Sequence, residues 1–116
     1  MISIDKKDRP WGRFYVLHDE REYKLKRIEI DPGQRISYQY HNERSEVWTI
    51  VNGIGTVCID GVVKDYIYGE TILIARGAKH RIENRTKEKL VFIEVQTGKY
   101  FGEDDVIRLK DDYNRI

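Results

Sequence analysis

The sequence predicts an all-β fold, a sandwich or barrel of about ten short strands. Short runs rich in apolar, β-branched and aromatic residues recur along the chain. Turn-forming pairs such as Asn52-Gly53 and Asp60-Gly61 punctuate them, and no sustained helical period appears before the C-terminal tail. At 116 residues the chain is long enough to bury one core and too short for a second, so a single domain over 1–116 is expected.

The opening segment to Trp11-Gly12 is polar and reads as irregular. Residues 14–17 and 23–30 read as strands flanking a charged turn that leaves His18 exposed, and Asp31-Pro32-Gly33 ends the second strand sharply. Strands over 36–41 and 47–51 follow, separated by the polar bend His41-Asn42-Glu43-Arg44-Ser45. Asn52-Gly53 has the chemistry of a tight hairpin, as does Asp60-Gly61 between strands at 56–59 and 62–66. Residues 71–74, 80–83 and 90–96 complete the set. The acid-rich stretch 98–108 then leads to a tail, 110–116, that forms a helical turn or runs along a sheet edge. Cys58, the only cysteine, is expected to be a small core or flank residue.

The formal charge is +1, with basic residues scattered among acids instead of forming a stripe, which argues against nucleic acid as a partner and favours a small polar ligand. The N-terminal stretch has no apolar core of a signal peptide and no run approaches the length of a membrane helix; a cytoplasmic protein is expected.

Gln39 and His41 stand two apart, so in an extended strand both project from one face and can share one ion. The polar bend returns Glu46 beside them, and His80, at the head of a later strand, supplies a fourth donor. Imidazole and carboxylate suit Zn²⁺, the leading choice, as well as Mn²⁺, Fe²⁺, Co²⁺ or Ni²⁺, and the amide oxygen of Gln39 makes the set harder than three histidines would.

Two stretches carry a resemblance. Gly33, Gln39, His41, Glu46 and Gly53 keep the spacing of the first cupin motif, with Gln39 where most cupins have a His. Gly69, Gly77, His80 and Asn84 keep that of the second, with Ala75 replacing the usual Pro. The chain therefore resembles the cupin family, whose fold is the double-stranded β-helix, or jelly roll. Within it, Arg9-Pro10-Trp11-Gly12, residues 23–28, Arg44-Ser45-Glu46-Val47-Trp48, residues 80–84 and residues 96–108 are similar to the type II mannose-6-phosphate isomerase domain, often fused behind a mannose-1-phosphate guanylyltransferase. That resemblance implies a metal held by Gln39, His41, Glu46 and His80, a phosphorylated hexose as substrate, pairing into a homodimer, and work alongside a separate guanylyltransferase. The family usually has a run of histidines where this chain has His41-Asn42-Glu43, and another at Val47; these replaced positions are expected near the mouth of the site. With no nucleotide-transfer domain in the sequence, the chain is not expected to make a sugar nucleotide itself.

Lys24 and Lys26 share strand parity with Ile28 and Ile30 and are expected to point along the interior towards the mouth. Arg108 and Arg81 are phosphate candidates, because a guanidinium fork suits phosphate, and surface ion pairing is the competing role for either. The resulting expectation is an isomerase interconverting mannose 6-phosphate and fructose 6-phosphate. Lys26 would move the proton, Arg108 would assist, and Lys24 and Arg81 would hold the substrate. A non-catalytic sugar- or metal-binding subunit and a cupin dioxygenase are the alternatives. Trp48 is expected in the core, Trp11 either there or against a sugar ring, and the acids at 103–105 are expected to be solvated or to supply a base.

Overall fold

In a computed structural model, which describes residues 5–115, the chain forms eleven strands and no helix. Residues 1–4 and 116, the start of the polar opening segment and the end of the tail, lie outside the described residues. The strands are β1 (Asp5–Arg9), β2 (Gly12–Asp19), β3 (Tyr23–Ile30), β4 (Tyr38–Tyr40), β5 (Arg44–Asn52), β6 (Gly55–Ile59), β7 (Val62–Tyr66), β8 (Thr71–Ile74), β9 (His80–Glu83), β10 (Leu90–Gly98) and β11 (Ile107–Lys110). They make two antiparallel sheets: β1-β2-β3-β10-β5-β8 packs against β11-β4-β9-β6-β7. This is the all-β double-sheet fold the sequence predicts.

Two expected elements differ. β1 reads as irregular in the sequence because Asp5-Lys6-Lys7-Asp8-Arg9 has no apolar alternation. It is an exposed edge strand held to β2 by the backbone ladder, and its charges suit an edge that should not recruit another chain. Asn52-Gly53 is not a hairpin: β5 pairs with β10 and β8, whereas β6 pairs with β7 and β9, so these residues carry the chain from one sheet to the other. The Asn52 amide secures the crossing by donating to the Lys89 carbonyl at 2.9 Å. Asp60-Gly61 is a true hairpin, with φ of 48° and 84° at the two turn residues, the left-handed pair that a two-residue loop requires. An edge strand forms ahead of the expected tail: β11 lies along β4, and of the tail only Lys110 belongs to it, a turn at 112–113 following.

Alternation sorts each strand into an inward and an outward row. The inward rows of β3, β10 and β5 share a gradient. Ile30 lies opposite Leu90, and Phe92 lies between Ile28 and Ile50. One step on, Glu94 lies between Lys26 and Trp48, and Gln96 between Lys24 and Glu46. The interior is thus apolar at one end, where Ile30, Ile50, Ile82, Leu90 and Phe92 are almost fully buried, and polar at the other. The polar end holds the site.

Gly98 ends β10 against the start of β5. Its φ is +148°, and a β-carbon there would fall 2.3 Å from the Glu43 carbonyl oxygen and 2.9 Å from the Arg44 α-carbon, neither of which can rotate away. At Gly61, φ +84°, a β-carbon meets nothing within 4 Å. Gly98→Ala should therefore cost about 2–4 kcal/mol in chemical denaturation, against about 1 kcal/mol for Gly61→Ala, which adds only backbone strain. Equal losses would show that close approach of β10 and β5 is not what selects glycine.

Candidate metal centre

Three short segments aim at the polar end. β4 projects Gln39 inward, and His41 follows just past its end. β5 projects Arg44, Glu46 and Trp48, and β9 opens on His80, the register partner of Gln39. His41, Glu46 and His80 are all buried, and their donor atoms lie within 4.8 Å of one another. Nε2 of His41 is 3.3 Å from Glu46 Oε2, and Nε2 of His80 is 3.9 Å from Glu46 Oε1. Gln39 lines the same cavity of about 170 Å³, with its amide oxygen accepting from the Ser37 hydroxyl at 2.7 Å.

The ring nitrogens are oriented for an ion. His41 Nδ1 donates to the Asp105 carbonyl at 2.6 Å and His80 Nδ1 to the Ala78 carbonyl at 2.8 Å, which leaves each Nε2 as a lone pair facing Glu46. Burial, reinforced for His41 by the Arg44 charge, keeps both rings neutral, and the pKa of His41 falls to about 4. His80 is 0% exposed, and its Nε2 has no hydrogen-bond partner among the described residues. A buried imidazole lone pair without a donor is costly, and a cation would satisfy it. The residues present therefore fit a divalent metal.

Around these donors stands a charged cluster the sequence reading did not single out. The Arg44 guanidinium is buried, with Nε donating to Glu46 Oε2 at 2.8 Å and Nη2 lying 3.4 Å from His41 Nε2. The Trp48 indole donates to Glu46 Oε1 at 3.1 Å and to Glu94 Oε1 at 3.0 Å. Glu94, held also by the Gln96 amide at 2.8 Å, has its pKa pushed up to about 7 by burial and by the neighbouring Glu46. Asp105 fixes His41 through its carbonyl, while its carboxylate caps the backbone N–H groups of Asn42 and Glu43. Arg9, Arg108 and Arg115 line the cavity too. Glu94 and Gln96 could have been found by extending the inward parity of Phe92 along β10. Nothing in the sequence signalled Arg44 within what reads as a polar bend.

Several expectations need correction. Lys26 does face inward and is only 3% exposed, but its Nζ is engaged by Glu103 at 2.5 Å and lies 4.1 Å from the centre of the Phe14 ring. Lys24 bonds the Phe101 carbonyl at 3.3 Å and does not line the cavity. Arg81 follows His80 in β9, so alternation turns it to the other face of the sheet, where it donates to the carbonyls of Ile36 and Lys110. Val47 is likewise on the outward parity of β5 and faces away from the mouth. Arg108 does reach the cavity, and its Nε is buried with no partner among the described residues. Trp48 lies in the core, Trp11 lines the cavity, His18 is exposed, and Cys58 is half-buried on β6.

Fold and site together define a cupin. Solved cupins share the architecture: an RmlC-like cupin from Shewanella frigidimarina superposes with a TM-score of 0.75 over 87% of this chain and 87% of its own, at 22% identity. More narrowly, residues 3–111 match the family described as Mannose-6-phosphate isomerase C-terminal, and the chain belongs to it. The mannose-1-phosphate guanylyltransferase ManC of Salmonella typhimurium is 43% identical over 108 residues, which are 93% of this chain and 22% of that protein. The xanthan biosynthesis protein XanB of Xanthomonas campestris is 37% identical over 107 residues, 92% of this chain and 23% of its own length. The chain thus spans under a quarter of the length of these relatives. The name of the Salmonella relative overturns the expected isomerase: it points to guanylyl transfer, not to interconversion of mannose 6-phosphate and fructose 6-phosphate. The roles of Lys26 as proton carrier and of Lys24 and Arg81 as substrate ligands of that reaction fall with it. Among the described residues no helix is long and apolar enough to cross a membrane.

Two stability experiments follow from this geometry. In metal-free protein Glu46→Gln removes the charge facing buried Arg44 and should cost about 3 kcal/mol in urea unfolding, while Arg44→Met with Glu46→Gln recovers part of the loss. Unchanged stability of Glu46→Gln would mean that the pair is not holding the site. Near the rim, Asp111 accepts both bonds of the Arg115 fork, which hold its carboxyl down at about 2. A folded pKa below the unfolded one adds stability above about pH 4 that is lost as pH falls towards 2. Asp111→Asn should cost about 1–2 kcal/mol at pH 7 and nothing near pH 2; a pH-independent difference would assign the loss to packing instead.

Proposed function

We propose that this chain is a divalent-metal-binding cupin that receives a phosphorylated hexose and serves mannose-1-phosphate guanylyl transfer, as the cupin companion of a guanylyltransferase. The observation that carries the metal is the buried, unpartnered Nε2 of His80 facing Glu46 and His41. The ManC relative, under a quarter of whose length this chain matches, supports the link to guanylyl transfer. Gln39, His41, Glu46 and His80 would hold the ion, with Zn²⁺ assigned first and Mn²⁺, Co²⁺, Ni²⁺ or Fe²⁺ matching the same donors. When bound, such an ion supplies a Lewis acid to which sugar oxygens can be drawn.

The chain's own residues suit the rest of that ligand. Arg9, Arg108 and Arg115 line the cavity, and a guanidinium pairs a phosphate bidentately where an ammonium gives only a point charge. The unpartnered Nε of Arg108 supports its assignment to the phosphate. Trp11 and Phe14 give the same cavity an apolar wall for a sugar face.

Purified protein should contain about one divalent ion per chain, lost in His80→Ala, and chelation should lower the melting temperature while leaving the β-sheet circular dichroism intact. Mannose 1-phosphate or mannose 6-phosphate should bind the metal-loaded protein in calorimetry, at least about tenfold more weakly in Arg108→Ala. Stoichiometric addition to a mannose-1-phosphate guanylyltransferase from the same organism should change its kcat/KM at least about twofold. No effect on the transferase in any metal state would overturn the companion role, and unaltered metal content in His80→Ala would overturn the site.

A further inference from the structure

The outer face of the five-stranded sheet carries a second cavity, of about 330 Å³, on the side away from the metal donors. Its floor is a cross-strand row. Lys110 lies opposite Tyr38 on β4, Tyr38 is one residue from the Gln39–His80 pair and so aligns with Arg81, and Arg81 lies opposite Cys58, itself opposite Val63. A neighbouring row places Arg35 opposite Glu83. Arg85 completes the rim.

The charges do not balance. Arg35, Arg81, Arg85 and Lys110 meet two acids. Glu83 sits 3.8 Å from Arg35 and 3.3 Å from Arg85, and Asp112 takes both bonds of the Arg35 fork and lies 3.9 Å from Arg81. Among the described residues Lys110 makes no ion pair. Arg81 is the best fixed of the cations: its side chain is 11% exposed, and Nε and Nη2 donate to the Ile36 and Lys110 carbonyls at 2.9 and 3.2 Å. Two neutral carbonyls orient this guanidinium without cancelling its charge, and burial, reinforced by the Arg35 charge beside it, lowers its pKa. Such an arrangement is uncomfortable without a counter-ion and is pre-formed for one. The Tyr38 ring and Val63 give the cavity an apolar side, and its volume is at the small end of ligand sites.

We propose that this cavity is a second, metal-independent binding site for a phosphate-bearing anion, read by Arg81, Arg85 and Lys110. The phosphate is the recognised group; it can arrive as free pyrophosphate or on a nucleoside diphosphate, in which case the base meets Tyr38. The site is separate from the metal pocket, because adjacent residues of β9, His80 and Arg81, serve opposite faces of the sheet.

The test is calorimetric titration of the metal-free and metal-loaded protein with inorganic phosphate, pyrophosphate and GDP, at fixed ionic strength. Saturable binding of pyrophosphate is expected in both states. Binding of GDP at least about threefold tighter than pyrophosphate would assign the anion to a nucleotide, and equal affinity to the phosphates alone. Lys110→Met with Arg85→Met, both exposed and outside the core, should weaken binding at least about fivefold, while His80→Ala leaves it unchanged. Arg81→Lys, which keeps the charge and loses the fork, should weaken it further without loss of the fold. No saturable binding up to about 10 mM, binding that vanishes in His80→Ala, or binding indifferent to the Lys110 and Arg85 changes would overturn the proposal.

Discussion

Everything at the working end of this fold depends on keeping charge buried beside a dry core. Three adjacent strands, β3, β10 and β5, run from apolar to polar along their inward rows, and the change falls at the same level in all three. Lys26, Glu94 and Trp48 form the boundary row, with Trp48 packing its rings against Phe92 on one side and donating its N–H to two carboxylates on the other. An aromatic with one polar handle is suited to that boundary, since it ends the hydrophobic core without leaving a polar atom unpaired. Beyond it, buried Glu46 and Glu94 face Arg44 and Lys26 in a space where any one of these charges alone would be expensive, and Glu103 pairs with Lys26 from the exposed rim.

That arrangement makes the metal donors part of a network. Glu46 accepts from Arg44 and Trp48, so its carboxylate plane is fixed, and Arg44 in turn is fixed by the Gly102 carbonyl at 3.3 Å. The segment after β10 contributes more than its irregular structure suggests: Asp105 orients His41, Glu103 holds Lys26, and Gly102 holds Arg44. A loop whose backbone and side chains bond to three different inward residues is a wall of the site. Its closeness to β5 depends on Gly98.

Much of this was legible in the residues. The bounds expected for β3, β7, β8 and β9 are those seen, because turn residues or charged bends bracket each of them. His41, Glu46 and His80 come together as expected, the bend before β5 returning Glu46 beside His41 and β9 bringing His80 alongside β4. What escaped had physical reasons. β1 has no apolar face to read, and Asn52-Gly53 has the local chemistry of a hairpin although the neighbouring strands belong to different sheets; turn chemistry is local, whereas sheet membership is set by the whole fold. Arg44 was hidden by its sequence neighbours, Asn42 and Glu43, which are exposed while Arg44 turns inward.

Arg81 shows how far a residue's chemistry alone can mislead. Guanidinium is the right group for phosphate, and one residue away from a metal-binding histidine it reads as part of the same site. In a strand, however, one residue is the distance between faces. His80 and Arg81 are neighbours along the backbone and yet serve opposite faces of the sheet, His80 the metal donors His41 and Glu46, Arg81 the outer cavity it shares with Arg35 and Arg85. The same alternation that assembled the metal donors from distant segments therefore separates adjacent cations from them, and parity has to be settled before any strand residue is given a role.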